Sequence, residues 1–155
     1  MRKIIILFGV VTTLLCLLIF SVNAQPKPSM KLNAGFIIPK IQETKKFYTT
    51  VLQMEVAFEN DFYLLLQTAE GTDQISFLLA DHESQQPLFK PAFVGKGAYL
   101  TIEVANVDEM YDSIKKMNIP IAIGLRDEPW GDRHFAIIDP NGIGIDIVTH
   151  TPPTK

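Results

Sequence analysis

The sequence predicts an α+β domain in which a βαβββ unit occurs twice. In both halves of the chain a strand is followed by an amphipathic helix and then by three short strand-like stretches. The two halves also align with an offset of 66 residues, and such a self-match indicates an internal duplication. The aligned apolar pairs are Ile38 with Val104, Ile41 with Val107, Tyr48 with Ile114, and Val51 with Met117.

The first unit is predicted at about residues 31–80. Its opening strand covers residues 31–38, and its helix covers residues 41–54, where apolar side chains recur at helical spacing. The remaining strands are predicted at residues 56–58, 62–67 and 74–79.

The second unit is predicted at about residues 98–150 and repeats this order. Asn106, with Glu109 three residues later, is typical of a helix start, and Asn118 before a proline-containing stretch predicts its end. The helix has one apolar face, formed by Val107, Met110, Tyr111, Ile114 and Met117. Its strands are predicted at residues 99–104, 121–125, 133–138 and 143–148.

A tight turn, Asp139-Pro140-Asn141-Gly142, joins the last two strands. Pro140 fixes a φ suited to a turn, Asn141 and Gly142 tolerate left-handed backbone, and the Asp139 carboxylate can cap the turn amides. The two strands are therefore predicted to run antiparallel. On the outgoing strand three isoleucines alternate with other residues, so Asp146 lies on the opposite face from them.

The N-terminal residues have the pattern of a targeting segment. Arg2 and Lys3 precede an apolar run, and small residues follow it up to Ala24. Residues 1–24 are therefore predicted to be a cleaved secretory signal peptide, so that the protein is exported to the periplasm or secreted. The alternative is an uncleaved membrane anchor formed by residues 4–20.

Three further stretches are predicted to connect or flank the units. Residues 84–97 contain two prolines and two glycines and are interpreted as the linker between the units. Residues 25–30 are predicted to be an extended tether because two prolines lie among polar residues. Residues 151–155 are predicted to be a tail, which leaves residues 31–150 as the folded domain.

Composition restricts the partners of this domain. Cleavage after residue 24 leaves 131 of 155 residues, and it removes Arg2 and Lys3, so that 12 basic residues face 17 acidic ones and the net charge is about −5. Such a charge disfavours nucleic acid and anionic membranes, so membrane contact is expected only if the N-terminal segment is retained. Cys16 leaves with the signal, and neither a disulfide nor a thiol nucleophile is expected.

Together these features resemble the vicinal-oxygen-chelate superfamily, which includes glyoxalase I, extradiol dioxygenases, fosfomycin-modifying enzymes and bleomycin-resistance proteins. The resemblance covers residues 31–150 and rests on the paired units, the stretch from Phe36 through Tyr48 to Leu52, and the turn that begins at Asp139. It is closest to metal-free, bleomycin-resistance-like members. It implies a cupped, eight-stranded mixed sheet with helices outside and a cavity within. Because proteins with this fold have many different activities, the resemblance does not determine the function.

Alternation along each opening strand predicts which side chains face the cavity. In the first unit Asn33 and Ile37 are expected to face it. In the second unit the side chains expected to face the cavity are Tyr99, Thr101 and Glu103. The helices are expected to cover the alternate residues, which are Ala34, Phe36, Ile38, Leu100, Ile102 and Val104.

Metal-dependent members of the superfamily hold a divalent ion with His or carboxylate side chains from the first and last strands of each unit. The corresponding positions here are Asn33, Phe77, Tyr99 and Asp146, and the neighbours of Phe77 add no ligand. Only Asp146 is a usual ligand, whereas catalytic sites need about three. The resemblance therefore implies a cavity without a metal or other cofactor. The alternative is one divalent metal near Asp146.

The histidines are interpreted as loop or surface residues. His134 lies in the strand before the tight turn, His82 follows the first unit, and His150 lies near the tail. None of the three has the spacing of a paired metal ligand. The carboxylate of Asp146 is predicted either to contact a ligand or to form an ion pair with Arg126 or Arg133.

A tryptophan, Trp130, lies in the loop before the seventh predicted strand. With Arg133 it could clamp a planar or anionic molecule through stacking and charge. The alternative is that Trp130 covers the open edge of the sheet while Arg133 pairs with Asp132 or Glu128.

Three functions are compatible with the sequence. The first is an exported protein that binds or sequesters a small molecule in a metal-free cavity, with no catalytic residue. Its predicted contacts are Asn33, Ile37, Phe77, Tyr99, Thr101, Glu103, Trp130, Arg133 and Asp146. The second is a metal-dependent lyase, isomerase or dioxygenase that uses Glu103, His134 and Asp146. The third is a protein-interaction module with a vestigial cavity. Relatives often dimerise to complete their cavities, and two units permit a closed monomer or such a homodimer.

Overall fold

The computed structural model describes residues 31–151, and the signal and tether predicted at residues 1–30 and tail residues 152–155 lie outside them. The helices and strands of these described residues belong to one compact unit that begins at Asn33. The elements are β1 (Ala34–Ile38), α1 (Ile41–Val51), β2 (Glu55–Glu59), β3 (Tyr63–Gln67), β4 (Gln74–Leu79), β5 (Tyr99–Glu103), α2 (Val107–Lys116), β6 (Ile121–Asp127), β7 (Asp132–Ile138) and β8 (Gly144–His150). This order confirms the predicted α+β fold with two βαβββ units.

Each unit forms its own four-stranded mixed sheet. The strand order is β1-β4-β3-β2 in the first sheet and β5-β8-β7-β6 in the second. In both sheets the opening strand runs parallel to the last strand of its unit, and the other pairs are antiparallel. The offset of 66 residues maps Phe36 onto Ile102, and their partners, Phe77 and Ile147, occupy equivalent places. The duplication in sequence is therefore also a duplication of strand register.

The helix α1 ends one turn earlier than predicted. It begins at Ile41 as expected but ends at Val51. Gln53 has a left-handed φ of 55°, and the N–H of Met54 donates to the carbonyl of Tyr48 at 3.1 Å. A left-handed residue ends a helix in this way by satisfying carbonyls of the last turn. The position holds Gln instead of Gly, so the end of the helix was not predictable from the residue type.

The helix α2 has the predicted start and stop. The side chain of Asn106 accepts a hydrogen bond from the N–H of Glu109 at 3.2 Å, and Asn118 has a left-handed φ of 57°. The first turn is acidic and the last turn carries Lys115 and Lys116, which complements the helix dipole. Within residues 31–151, no helix is long and apolar enough to cross a membrane.

The main core lies on the helix-covered faces of the two sheets. Tyr48 of α1 is fully buried, and its ring centroid lies 4.9 Å from that of Phe77. Tyr111 of α2 packs against Phe135 at 5.1 Å. The residues predicted to lie under the helices do contribute to this core, with the exception of the exposed Ala34. They are Phe36, Ile38, Leu100, Ile102 and Val104.

The turn between β7 and β8 fastens the second unit to α1. The Asp139 carboxylate caps it as predicted, because Oδ1 accepts hydrogen bonds from the N–H groups of Asn141 and Ile143 at 2.8 Å each. The Asn141 side chain donates to Thr44 Oγ1 at 2.7 Å, and Tyr48 Oη lies 3.5 Å from Asp139 Oδ2. Burial, together with the Asp139 charge, raises the pKa of Tyr48.

The last strand is longer than predicted. It continues through Thr149 to His150, in register with the start of β7. The Thr149 hydroxyl explains this extension: it accepts a hydrogen bond from the N–H of Val107 at 3.0 Å and donates one to the carbonyl of Val104 at 2.7 Å. One side chain thus joins β8 to the start of α2.

Candidate functional site

Polar side chains gather on the face of the second sheet that the helices do not cover. Thr101, Asp146 and Ala136 are partners across β5, β8 and β7, so their side chains point to the same face. Glu103 and His134 lie one step further along their strands on that face. We call this side of the sheet the open face. It brings together three of the predicted contacts, Thr101, Glu103 and Asp146.

A chain of alternating charges crosses the open face. His134 Nδ1 lies 2.6 Å from Asp146 Oδ1, and His134 Nε2 lies 3.3 Å from Glu128 Oε1. Arg126 Nε lies 2.7 Å from the same Glu128 oxygen. The side chains of His134 and Glu128 are largely shielded from solvent, with 14% and 9% of their surface exposed. Asp146 is therefore paired with His134 and not with Arg126 or Arg133, the partners predicted for it.

The interpretation of His134 as a loop or surface residue is wrong. Burial alone would lower its pKa, but the hydrogen bonds and charges of Asp146 and Glu128 outweigh burial and raise it. The contact between His134 and Asp146 could have been predicted from the turn at residues 139–142. A hairpin closed by residues 139–142 pairs Ala136 with Asp146, which places His134 diagonally opposite the carboxylate.

The raised pKa of His134 predicts pH-dependent stability. The folded state holds the proton more tightly than the unfolded state, so this stabilisation is complete below the ordinary value of 6.5 and is lost as pH rises through the raised value. His134→Gln should therefore destabilise the protein more at pH 5.5 than at pH 9, as measured by urea unfolding. His82→Gln is the matched control, because His82 contacts Ser84 and Phe62 rather than carboxylates. An equal loss at both pH values would contradict the assignment.

A second group of contacts joins Trp130 to the edge of the open face. Trp130 Nε1 donates to Asp132 Oδ2 at 2.8 Å, and His150 Nδ1 lies 2.7 Å from Asp132 Oδ1. His150 Nε2 in turn lies 3.9 Å from Glu103 Oε2. The hydrogen bond from His150 and then that from Trp130 lower the pKa of Asp132, and Asp132 raises that of His150. The indole nitrogen is thereby held in place while 63% of the residue's surface stays exposed.

Arg133, which was predicted as a ligand contact, does not take part in this group. Its guanidinium forms two hydrogen bonds with Asp108 of α2, at 2.8 and 2.7 Å, and contacts both oxygens of Asp127 at 3.0 Å. These hydrogen bonds raise the pKa of Arg133 further. The alternative prediction, an ion pair of Arg133 with Asp132 or Glu128, is wrong, because its partners are Asp108 and Asp127. Next to His134 in the strand, Arg133 points to the opposite face, where α2 lies.

Phe77 is also misassigned, because it is a core residue and not a cavity residue. It is fully buried and packs against Tyr48 and Phe36, whose ring centroid lies 6.3 Å away. The register gives the reason: Thr101 pairs with Asp146 in the second sheet, and its counterpart Gly35 pairs with Ser76 in the first. Ser76 is therefore the structural equivalent of Asp146. The alignment was shifted by one residue, which exchanges the two faces of a strand.

The other predicted contacts lie apart from the charged chain. Tyr99 is on the open face, next to Gly144, with 71% of its surface exposed. Asn33 precedes β1 and is exposed. Ile37 is half-buried in β1 on the face opposite Phe36, beside Leu78. Asn33 and Ile37 thus lie beside and within the first sheet, whereas Tyr99, Thr101, Glu103 and Asp146 belong to the second.

The donor set does not fit a divalent metal. Within residues 31–151 no three His, Cys, Asp or Glu side chains are placed to share an ion. Both ring nitrogens of His134 already face carboxylates, and the position equivalent to Asp146 holds the hydroxyl of Ser76. A metal at Asp146 would have to displace His134 and would still lack the usual three strong ligands.

Sequence comparison agrees with this architecture. The model of the Glyoxalase/Bleomycin resistance protein/Dioxygenase superfamily matches residues 33–147. The chain therefore belongs to this superfamily. A bleomycin resistance protein of Geobacillus stearothermophilus is 28% identical over 122 residues, which cover 78% of this chain and 89% of the relative. A bleomycin resistance protein of Staphylococcus aureus matches with the same figures.

Solved structures share the fold. An integron cassette protein from V. Cholerae superposes with a TM-score of 0.64 at 22% identity and covers 81% of this chain and 98% of its own. TnmS3, an antibiotic binding protein from Streptomyces sp. CB03234, superposes with a TM-score of 0.62 at 18% identity, with coverage of 81% and 98%. At this level of identity the likeness establishes the architecture alone.

Proposed function

We propose that the protein binds a small organic molecule on the open face and sequesters it without a metal and without chemical change. The observation that carries this proposal is the pairing of His134 with Asp146 and Glu128. In a metal enzyme these side chains would be the available ligands, but here they neutralise one another. These polar side chains form one wall of the site, and the exposed rings of Trp130 and Tyr99 lie beside it. Such a combination suits the binding of a small organic molecule.

The relatives support the same interpretation. The curated matches are bleomycin resistance proteins, and TnmS3 is an antibiotic binding protein. Asp146 and Glu103 are carboxylates on or beside the open face, and Trp130 and Tyr99 expose aromatic surface near them. A ligand with both a polar or cationic part and a planar part therefore fits best.

Titration calorimetry with metal-free bleomycin as the probe tests the proposal. We expect saturable binding that a chelator does not change, with intact bleomycin recovered by mass spectrometry. Asp146→Asn should weaken binding about tenfold, because it removes a carboxylate from the polar wall and breaks the pair with His134. Asp112→Asn, on the exposed side of α2, is the matched control. Binding only after a divalent metal is added, or recovery of an altered product, would overturn the proposal in favour of a metal-dependent enzyme. Failure to bind bleomycin or any other organic probe would favour the interaction module.

A homodimer is part of this proposal. Tyr99, Trp130 and Ile138 lie on or beside the open face and expose 71%, 63% and 54% of their surfaces. A second copy would cover this apolar area and close the site. Sedimentation velocity should give twice the chain mass, and Tyr99→Glu should shift the protein to monomer while Leu88→Glu, at an exposed linker position, should not. A monomer at micromolar concentration would refute this part.

Export completes the proposal. Residues 1–24 would be removed, so that the binding domain acts outside the cytoplasm. The intact mass of the protein recovered from cells should then begin at Gln25. Full-length mass in a membrane pellet would instead indicate an anchor.

A further inference from the structure

A cavity of about 570 Å³ lies between the C-terminal end of α1, the β3–β4 turn and β5. It is separate from the charged chain of the open face, because Asp146, His134 and Trp130 are not among its lining residues. Thr101 and Glu103 reach it only from the edge of β5. Its size is within the range of pockets that enclose drug-sized molecules.

The floor of this cavity is apolar. It is formed by residues that pack against the main core from α1, β4 and β5. They are Tyr48, Leu52, Met54, Ile75, Leu100 and Ile102. Ile75 is 6% exposed and Tyr48 is fully buried, so the floor is anchored in the core. Such a surface favours a ligand with an apolar body.

The rim is acidic. Three exposed carboxylates line the cavity, from Glu70 and Asp73 in the β3–β4 turn and from Glu103 at the end of β5. Of residues 31–151, no Lys, Arg or His lines the cavity. The neutral polar lining comes from Gln53, Thr68, Gln74 and Thr101. The charge at the mouth is therefore of one sign, and it is complementary to a cation.

We propose that this cavity is a second binding site, for a small organic cation that carries an apolar body, such as an alkylammonium compound. The apolar part would lie on the floor near Leu52 and Ile102, and the ammonium group would lie between the carboxylates of the rim. The two sites share only Thr101 and Glu103 at the edge of β5, whereas Glu70, Asp73 and the apolar floor belong to the cavity alone. The two proposals can therefore fail independently.

Titration of the full chain with hexyltrimethylammonium tests the inference. Amide shifts followed by NMR should saturate and should map to residues 52–54, 68–75 and 100–103. Glu70→Gln with Asp73→Asn should weaken binding about tenfold, since each partly exposed charge contributes modestly. Ala69→Trp, at an exposed lining position, should abolish binding by filling the cavity without changing its charge. Glu43→Gln with Asp112→Asn is the matched control, because both residues are exposed and lie outside the cavity.

Three results would overturn the inference. The first is no saturable shift at millimolar probe. The second is equal binding of hexanol, which has the apolar chain without the charge. The third is unchanged binding in the Ala69→Trp variant with shifts near residues 144–148, because it would place the cation on the open face instead.

Discussion

Replacing Phe77 with Ala should destabilise the protein by about 4 kcal/mol, the usual cost of removing a buried phenyl ring and leaving a cavity. The ring is fully buried between Tyr48 and Phe36, so the surrounding side chains cannot close the gap without moving α1. Urea unfolding followed by fluorescence measures the loss. The midpoint should fall while the dependence on urea stays the same, because the surface exposed on unfolding hardly changes.

Phe77→Leu is the matched control for this variant. It keeps most of the volume and should cost less than about 1.5 kcal/mol. The pair of variants also separates the two assignments of Phe77. A cavity-lining residue would tolerate Ala with little loss of stability and would lose ligand affinity instead. That outcome would restore the assignment made from the sequence and would contradict the register of β4 with β1.

Replacing Asp139 with Ala should cost about 3 kcal/mol, because the buried amide of Ile143 and the partly buried amide of Asn141 would lose their charged acceptor. Asp139 is 4% exposed, and its Oδ1 accepts from Asn141 and Ile143 at 2.8 Å each. Its Oδ2 lies near the Tyr48 hydroxyl and the Asn141 side chain. The variant therefore loosens both the turn and the contact between the second unit and α1. Thermal unfolding should shift down by roughly 10 °C.

Two control variants test whether the loss of stability comes from the cap that Asp139 forms. Asp112→Ala removes an exposed carboxylate from α2 and should change stability by less than about 0.5 kcal/mol. Tyr48→Phe removes only the hydroxyl, and it should cost less than Asp139→Ala because the turn amides keep their acceptor. If Asp139→Ala were as stable as Asp112→Ala, the carboxylate would not be the cap that joins the two units.

Much of the fold could be predicted because local signals agreed with one another. The cap at Asn106, the turn at Asp139-Pro140-Asn141-Gly142 and the offset of 66 residues each depend on residues close in sequence or on repetition. The end of α1 was missed because Gln53 adopts a left-handed conformation that glycine usually supplies. The extension of β8 was missed because Thr149 is held by contacts with residues more than 40 positions away.

The candidate site was predicted less completely. Thr101, Glu103 and Asp146 were placed on one face correctly, since strand alternation fixes the face once the strand is known. Phe77 was placed on the wrong face, because a shift of one residue in a strand reverses it. Arg133 was proposed from its closeness to Trp130 in the sequence, which does not determine the face on which a strand residue lies. His134 was considered only as a metal ligand of the alternative function. Its pairing with Asp146 and Glu128 was missed because these partners come from β8 and from the loop before β7, so the contact requires the strand register and not only the spacing within one strand.

The sequence by itself determined the paired βαβββ units, their order, the turn that closes the chain and the single carboxylate at the expected ligand positions. These features follow from periodicity and from backbone preferences, which act over a few residues. Only the tertiary structure decided that His134 lies between Asp146 and Glu128, that Arg133 binds Asp108 of α2, and that an acidic-rimmed cavity lies beside α1. Those arrangements depend on which strands become neighbours and in which register, and that is set by packing of the whole core rather than by any one segment.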